Sequence, residues 1–236
     1  MFNPQSHKPE VSTRALVFRQ ALAAAFKSLR QSIPPAPEAL PALLSGFGPQ
    51  FAGEGIPGRC REALVEIRAR IFQIPGRDAE AQALWEEGLA GAVFAARVAH
   101  LKQASFPASF MGALLYRAGE ALALKILARV ELEYRMKLDS SSRREWCAGH
   151  SAELGERLTQ RWNLPAAAPM PSGDLAAASA ESKAVYFGRL FAIELLQPEF
   201  CVPGALDHAA ADLGLGADLV AQIRKQDVRS LIRTLV

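Results

Sequence analysis

Few residues in this chain have the chemistry to hold a metal or act as a nucleophile. Its 236 residues include four histidines (His7, His100, His150 and His208) and three cysteines (Cys60, Cys147 and Cys201). The cysteines form no C-x-x-C pair, and an odd number argues against a disulfide framework. Three reduced thiols in a cytosolic protein are the expectation. Cys147 and His150 stand at i and i+3, near one face of a helix. A Cys–His nucleophile also needs an oriented base and an oxyanion site, and the sequence marks neither. There is no G-x-x-x-x-G-K-[ST], no strand-borne G-x-G-x-x-G, no H-E-x-x-H and no G-x-S-x-G. Gly46, Gly48, Gly53, Gly55 and Gly58 follow no strand and precede no P-loop lysine, so they read as a surface loop. Arg59, Arg61, Arg68 and Arg70, and again Arg224, Lys225, Arg229 and Arg233, are spacings that could meet phosphates. Glu62, Glu66 and Asp227 are interspersed among them, which favours solvated helix faces. With a formal charge of +3, nucleic-acid binding is not expected.

These residues must be positioned by helices. The chain has 43 alanines, and alanine is the best helix former and a poor strand former. Hydrophobic residues make up 50% and charged residues 22%, a globular composition that excludes a disordered chain. The expected fold class is all-α, with about nine helices. Ser12–Arg30 carries Leu16, Leu22, Phe26 and Leu29 at helical spacing. Ile33–Pro37 is a stiff extended turn, because proline fixes φ and restricts the residue before it. A short helix over Glu38–Leu44 and a loop over Ser45–Gly58 follow. Arg59–Ile74 sets Leu64, Ile67, Ile71 and Ile74 in one stripe. Asp78 is placed as the N-cap of a helix running to about Gln103, with small residues such as Gly88, Ala92 and Ala95 allowing close packing. Ser105 opens a helix with Pro107 in its first turn, and Phe110–Arg117 and Ala121–Lys137 follow. Ser142 and Glu145 have capping-box spacing for a helix reaching Trp162. Ala166–Gly173 is a loop. The remaining helices are a span from Asp174 or Ser179 to Leu196, then Pro203–Leu213 and Ala217–Leu235. No stretch is long and apolar enough to span a membrane, and the amino-terminal residues lack a signal-peptide core. The expected compartment is the cytoplasm.

The segment Gly149–Pro165, ending Trp162-Asn163-Leu164-Pro165, resembles the H-x-x-x-G helix with a terminal W-x-L-P that typifies the HDOD (HD-related output domain) family. Phe110-Met111-Gly112-Ala113-Leu114-Leu115-Tyr116-Arg117-Ala118-Gly119-Glu120 is similar to the family's F-x-A-G-L-L-H-D-I-G-K. Trp85–Ala90 is similar to its W-x-H-S-L-A helix, and Ala184–Arg189 to its late A-V-x-L-A-[DN] helix. Order and spacing match over about Asp78–Leu196. Ile33–Glu38 resembles the family's L-P-x-L-P opening, but the stretch up to Trp85 is too short for the usual amino-terminal subdomain. The resemblance implies an HD-like helical bundle with a shortened N-terminal helical region, residues 1–77 forming that region and residues 78–236 the HD-like domain.

The wider HD superfamily holds a divalent metal with His and Asp from several helices, and the metal activates water for phosphoester hydrolysis. At the matching positions this chain has Glu87, Tyr116, Arg117 and Arg189, with Glu120 closing the second motif and His150 as the one histidine kept. Arginine has no lone pair to give a metal. No metal, no cofactor and no catalysis are therefore expected, and the family resemblance implies a regulatory, non-catalytic role. Two readings of the altered site stand side by side. In one, Glu87 pairs with Arg117 or Arg189 as a structural cross-link. In the other, Tyr116, Arg117, His150 and Arg189 line a pocket for an anionic small ligand such as a nucleotide. The functional expectation is a signal-transduction module working through protein partners, with self-association as a homodimer left open. The alternatives are a sensor of an anionic small ligand and a residual metal-dependent phosphohydrolase.

Overall fold

The alanine- and leucine-rich stretches fold as helices, and no strand occurs among the described residues. The structure, a computed structural model, describes residues 8–28, 33–46, 58–164, 177–224, 230 and 232. The glycine-rich loop, the 166–173 loop, and Lys225, Arg229 and Arg233 lie almost wholly or entirely outside those residues. The helices are α1 (Lys8–Lys27), α2 (Leu40–Gly46), α3 (Gly58–Ile67), α4 (Asp78–Leu101), α5 (Phe106–Leu114), α6 (Ala118–Tyr134), α7 (Ser140–Arg161), α8 (Ala180–Leu196), α9 (Ala205–Asp212) and α10 (Ala217–Arg224).

Several starts and stripes differ from the sequence expectation. Helix α1 buries Phe18, Leu22 and Phe26, an i, i+4, i+8 row, while Leu16 is exposed. The larger rings win the core-facing side. The predicted Arg59–Ile74 helix is α3 followed by a π-helical turn over Arg68–Phe72. The Lys125 ammonium donates to the Arg70 carbonyl at 2.8 Å, capping that turn from α6. The predicted stripe holds across the change: Leu64, Ile67, Ile71 and Ile74 are all buried. Asp78 is the first residue of α4, with Arg77 at the cap. There its charge, with that of Glu80, favours the positive end of the helix dipole. Helix α7 starts earlier than the capping-box spacing suggests. Asp139 is its cap and accepts from the Ser142 amide at 2.9 Å and the Ser142 hydroxyl at 2.7 Å. A carboxylate is a stronger acceptor than a serine hydroxyl at a helix start. Ser105 and Ser179 cap α5 and α8 by accepting from the Ala108 and Ser182 amides.

Helix α4 is the centre of the bundle. It packs most extensively against α8 and α5, while α6 pairs with α7 and carries α1 on its outside. From Glu87 to Ala96 every residue of α4 is buried, the pattern of a helix enclosed on all sides. Two glycines allow the closest approaches. A Cβ on Gly188 of α8 would run into the Gly91 carbonyl of α4, and one on Gly119 of α6 would run into the Ser151 carbonyl of α7. These contacts bring α6 and α7 together on one side and α4 and α8 on the other. One continuous buried cluster includes Phe18 and Leu64 as well as Leu154 and Leu206, so it spans both sides of position 77. Among the described residues no helix is long and apolar enough to cross a membrane.

Candidate functional site

Helix α4 carries one charged residue within its buried stretch. Glu87 is 3% exposed, and a carboxylate taken out of water needs partners. Arg117 supplies the main one. It sits where α5 hands over to α6, and its Nη1 donates to both Glu87 oxygens at 3.3 Å. Its Nη2 pairs with Glu120 at 2.8 Å, one turn along α6. The Gln197 amide, at the end of α8, donates to Glu87 Oε2 at 3.4 Å. One guanidinium thus holds α4 to α6, and a neutral amide adds the end of α8. Of the two partners proposed for Glu87 from the sequence, Arg117 is the one in place.

This ion cluster forms the inner end of a cleft of about 640 Å³, walled by α4, α6 and α7. Helices α4 and α6 touch only slightly, which leaves the space open between them. Its outer side carries Arg143, which pairs with Glu80 at 3.2 Å. Glu80 also pairs with Arg77, which holds the buried Glu131 at 2.6 Å. Glu131 in turn accepts from the Leu138 amide at 2.9 Å, fixing the α6–α7 turn. Cys147 lines the same cleft. Burial pushes its thiol up to about 12, and the nearby charge of Glu120 adds to this. The thiolate is the reactive form, so Cys147 is a protonated thiol at neutral pH.

The other sequence-predicted residues stand elsewhere. The Arg189 guanidinium lies over the Tyr116 ring, its central carbon 4.3 Å from the ring centroid. Neither residue lines the cleft. His150 faces α1, where its imidazole stacks on Phe26 at 4.2 Å and on Trp146 at 5.5 Å between ring centroids. Cys147 and His150, three residues apart, therefore serve different surroundings. The expected single pocket of Tyr116, Arg117, His150 and Arg189 is not formed. The register explains the histidine: in an H-x-x-x-G motif the histidine stands four residues before the glycine, and four residues before Gly155 is Ser151. Ser151 lines the cleft, whereas His150 is rotated about 100° away from it. Gln197, Ser151, Arg143 and the place of Cys147 were missed from sequence. The motif's own spacing could have given Ser151. Nothing local marks Gln197, which arrives from the far end of α8.

The donors at this place do not suit a divalent metal. Glu87 is already bound by Arg117, Arg117 has no lone pair and brings a positive charge, and Ser151 offers only a neutral hydroxyl. Among the described residues no group of three or more His, Cys, Asp or Glu side chains is gathered for a metal.

Residues 64–171 match the family model of the HDOD domain. The match runs from α3 to the end of α7 and beyond. It contains every cleft residue named above except Gln197, and it excludes Arg189. It bears out the HDOD resemblance read from the motifs. No curated protein and no solved structure matches the chain.

Proposed function

We propose that this HDOD-domain chain is a non-catalytic regulatory module of signal transduction, working in the cytoplasm through contacts with protein partners. The observation that carries the reading is the Arg117 guanidinium bound between Glu87 and Glu120. A fixed cation on the chain does the cross-linking that a dication would otherwise do, and it repels one. Water activation by a metal needs open coordination positions and ligands that give electron pairs, and the residues at this place provide neither. The test is metal analysis of protein purified without chelator, together with phosphodiester hydrolysis measured with added Mn²⁺. The expected result is substoichiometric metal and no turnover. About one equivalent of Mn or Fe that is lost in Glu87→Ala would overturn the reading in favour of a residual phosphohydrolase. The partner-binding half is tested by affinity capture with defined partner candidates, which should be retained by wild type and by Arg117→Lys alike.

A further inference from the structure

We propose that the cleft between α4, α6 and α7 binds a small amphipathic anion, a phosphate or carboxylate head on a short aliphatic body. The inference goes beyond the regulatory reading and does not depend on it.

The argument starts from which hydrogen-bonding groups are already used. Every carboxylate in the cleft is engaged: Glu87 by Arg117 and Gln197, Glu120 by Arg117, and Glu80 by Arg77 and Arg143. Of the three arginines that line it, Arg144 is left without a carboxylate among the described residues. Arg144 gives its Nε to the Ser140 carbonyl at 3.3 Å, and its two terminal nitrogens have no partner among the described residues. Ser140 and Ser151 also line the cleft. A guanidinium with two unpaired nitrogens and no carboxylate partner among the described residues fits an anion.

The placement agrees with this. Ser140 and Arg143 stand in the first turn of α7 and Arg144 just beyond it; that turn has no acidic residue, and the Asp139 carboxylate caps it. The positive end of the helix dipole and two arginines meet there, although arginine normally favours the opposite end. Part of the lining is different in kind. Leu84, Leu124, Cys147 and Ala148 make it aliphatic, and no aromatic ring lines it among the described residues. A nucleobase would find nothing to stack on, whereas a short alkyl chain would be covered. A volume of about 640 Å³ is within the usual range for small-molecule sites.

The test is calorimetric titration of the full chain with octyl phosphate and with decanoate, against octanol, inorganic phosphate and AMP. Saturable binding of the two amphipathic anions is expected, with octanol and inorganic phosphate each at least about tenfold weaker because each lacks one half of the ligand. Arg144 is exposed, so Arg144→Ala should leave the melting temperature unchanged and weaken octyl phosphate about tenfold or more. Bound octyl phosphate should also slow methanethiosulfonate labelling of Cys147 and not of Cys201, as mapped by mass spectrometry. No saturable binding up to about 1 mM, equal binding by Arg144→Ala, or binding that leaves Cys147 unprotected would each overturn the proposal. AMP binding more tightly than octyl phosphate would overturn the aliphatic assignment. None of these outcomes alters the metal content or the hydrolysis assay, so the two readings fail separately.

Discussion

Arg117→Met should be among the most damaging single changes at the cleft. It leaves Glu87, 3% exposed, with only the Gln197 amide at 3.4 Å. At 3.3 Å the direct attraction between the two charges is about 5 kcal/mol for an effective dielectric of 20. In the native protein that attraction offsets the cost of removing the carboxylate from water. The variant keeps the cost and loses the offset. Removing one member of a buried pair costs about 3–5 kcal/mol. Arg117 is 26% exposed at its side chain, so the lower half of that range is expected. For a domain of this size each kcal/mol moves the midpoint by about 2–4 °C, giving a melting point lower by about 10 °C. Glu120 is 36% exposed at its side chain, and Glu120→Ala should cost less than about 1 kcal/mol. Glu87→Ala should fall between, because Arg117 keeps Glu120 and some water. Arg117→Met combined with Glu87→Leu should recover most of the loss, since no buried charge is then stranded. Urea denaturation of the four variants is the assay. If Arg117→Met cost no more than Glu120→Ala, or if the double variant were worse than Arg117→Met alone, Glu87 would not be held as a buried ion pair.

Other consequences can be checked on the same protein. Gly119→Ala drives a methyl group into the Ser151 carbonyl and should cost roughly 2 kcal/mol or abolish folding. Gly149→Ala meets nothing within 4 Å and should stabilise by about 0.5–1 kcal/mol through helix propensity, read by thermal melting. The Asp139 carboxyl is held below its ordinary value by the Ser142 amide and hydroxyl. Glu181 is held low by the Ser105 amide, which ties α5 to α8. Because both are lower folded than unfolded, their contributions are complete above about pH 4–5 and fade as pH falls through the folded values. Asp139→Asn should therefore lower stability at neutral pH, change it least below the folded value, and so flatten the acid side of the profile. At pH 8 Cys147, with its thiol pushed up to about 12, should react with iodoacetamide far more slowly than the partly exposed Cys201, as seen by peptide mass mapping.

The sequence showed the fold class plainly and the site only in part, and the reason differs from residue to residue. The Leu64, Ile67, Ile71 and Ile74 stripe was legible because burial follows helical period even where the helix loosens into a π turn. The turn itself was not legible, since it depends on Lys125 reaching over from α6. Asp139 was passed over as a cap because Ser142 and Glu145 form an equally good local pattern. The choice between the two rests on the chain direction after Arg135, whose backbone turns left-handed at φ +48. The Glu87–Arg117 pair was readable because a buried carboxylate requires a cation and few stood in matching positions. Tyr116 and Arg189 were grouped with it on motif position alone, and ring stacking took them elsewhere. Position in a motif fixes the helix and the turn, but the direction of a long side chain depends on what it can reach.

The substitutions at the cleft make sense only together. The motif that this chain resembles reads H-D-x-x-K, with Asp and Lys three positions apart at the start of a helix. Here the same positions hold Arg117 and Glu120, the charges exchanged and still paired at 2.8 Å. That exchange alone would turn a cation inward against whatever faces it from α4. A neutral imidazole there would leave the guanidinium with Glu120 as its one carboxylate and the inward nitrogen Nη1 without one. Glu87 at that place removes the difficulty, and without Arg117 it would itself be stranded. Glu87 therefore depends on Arg117 more than Arg117 depends on Glu87. The remaining position completes the pattern: Ser151, facing the cleft where the motif has its histidine, asks for no charge and no metal. It leaves a hydroxyl on the residue beside the Glu87–Arg117–Glu120 cluster, in a space that neither Arg117 nor Glu87 fills.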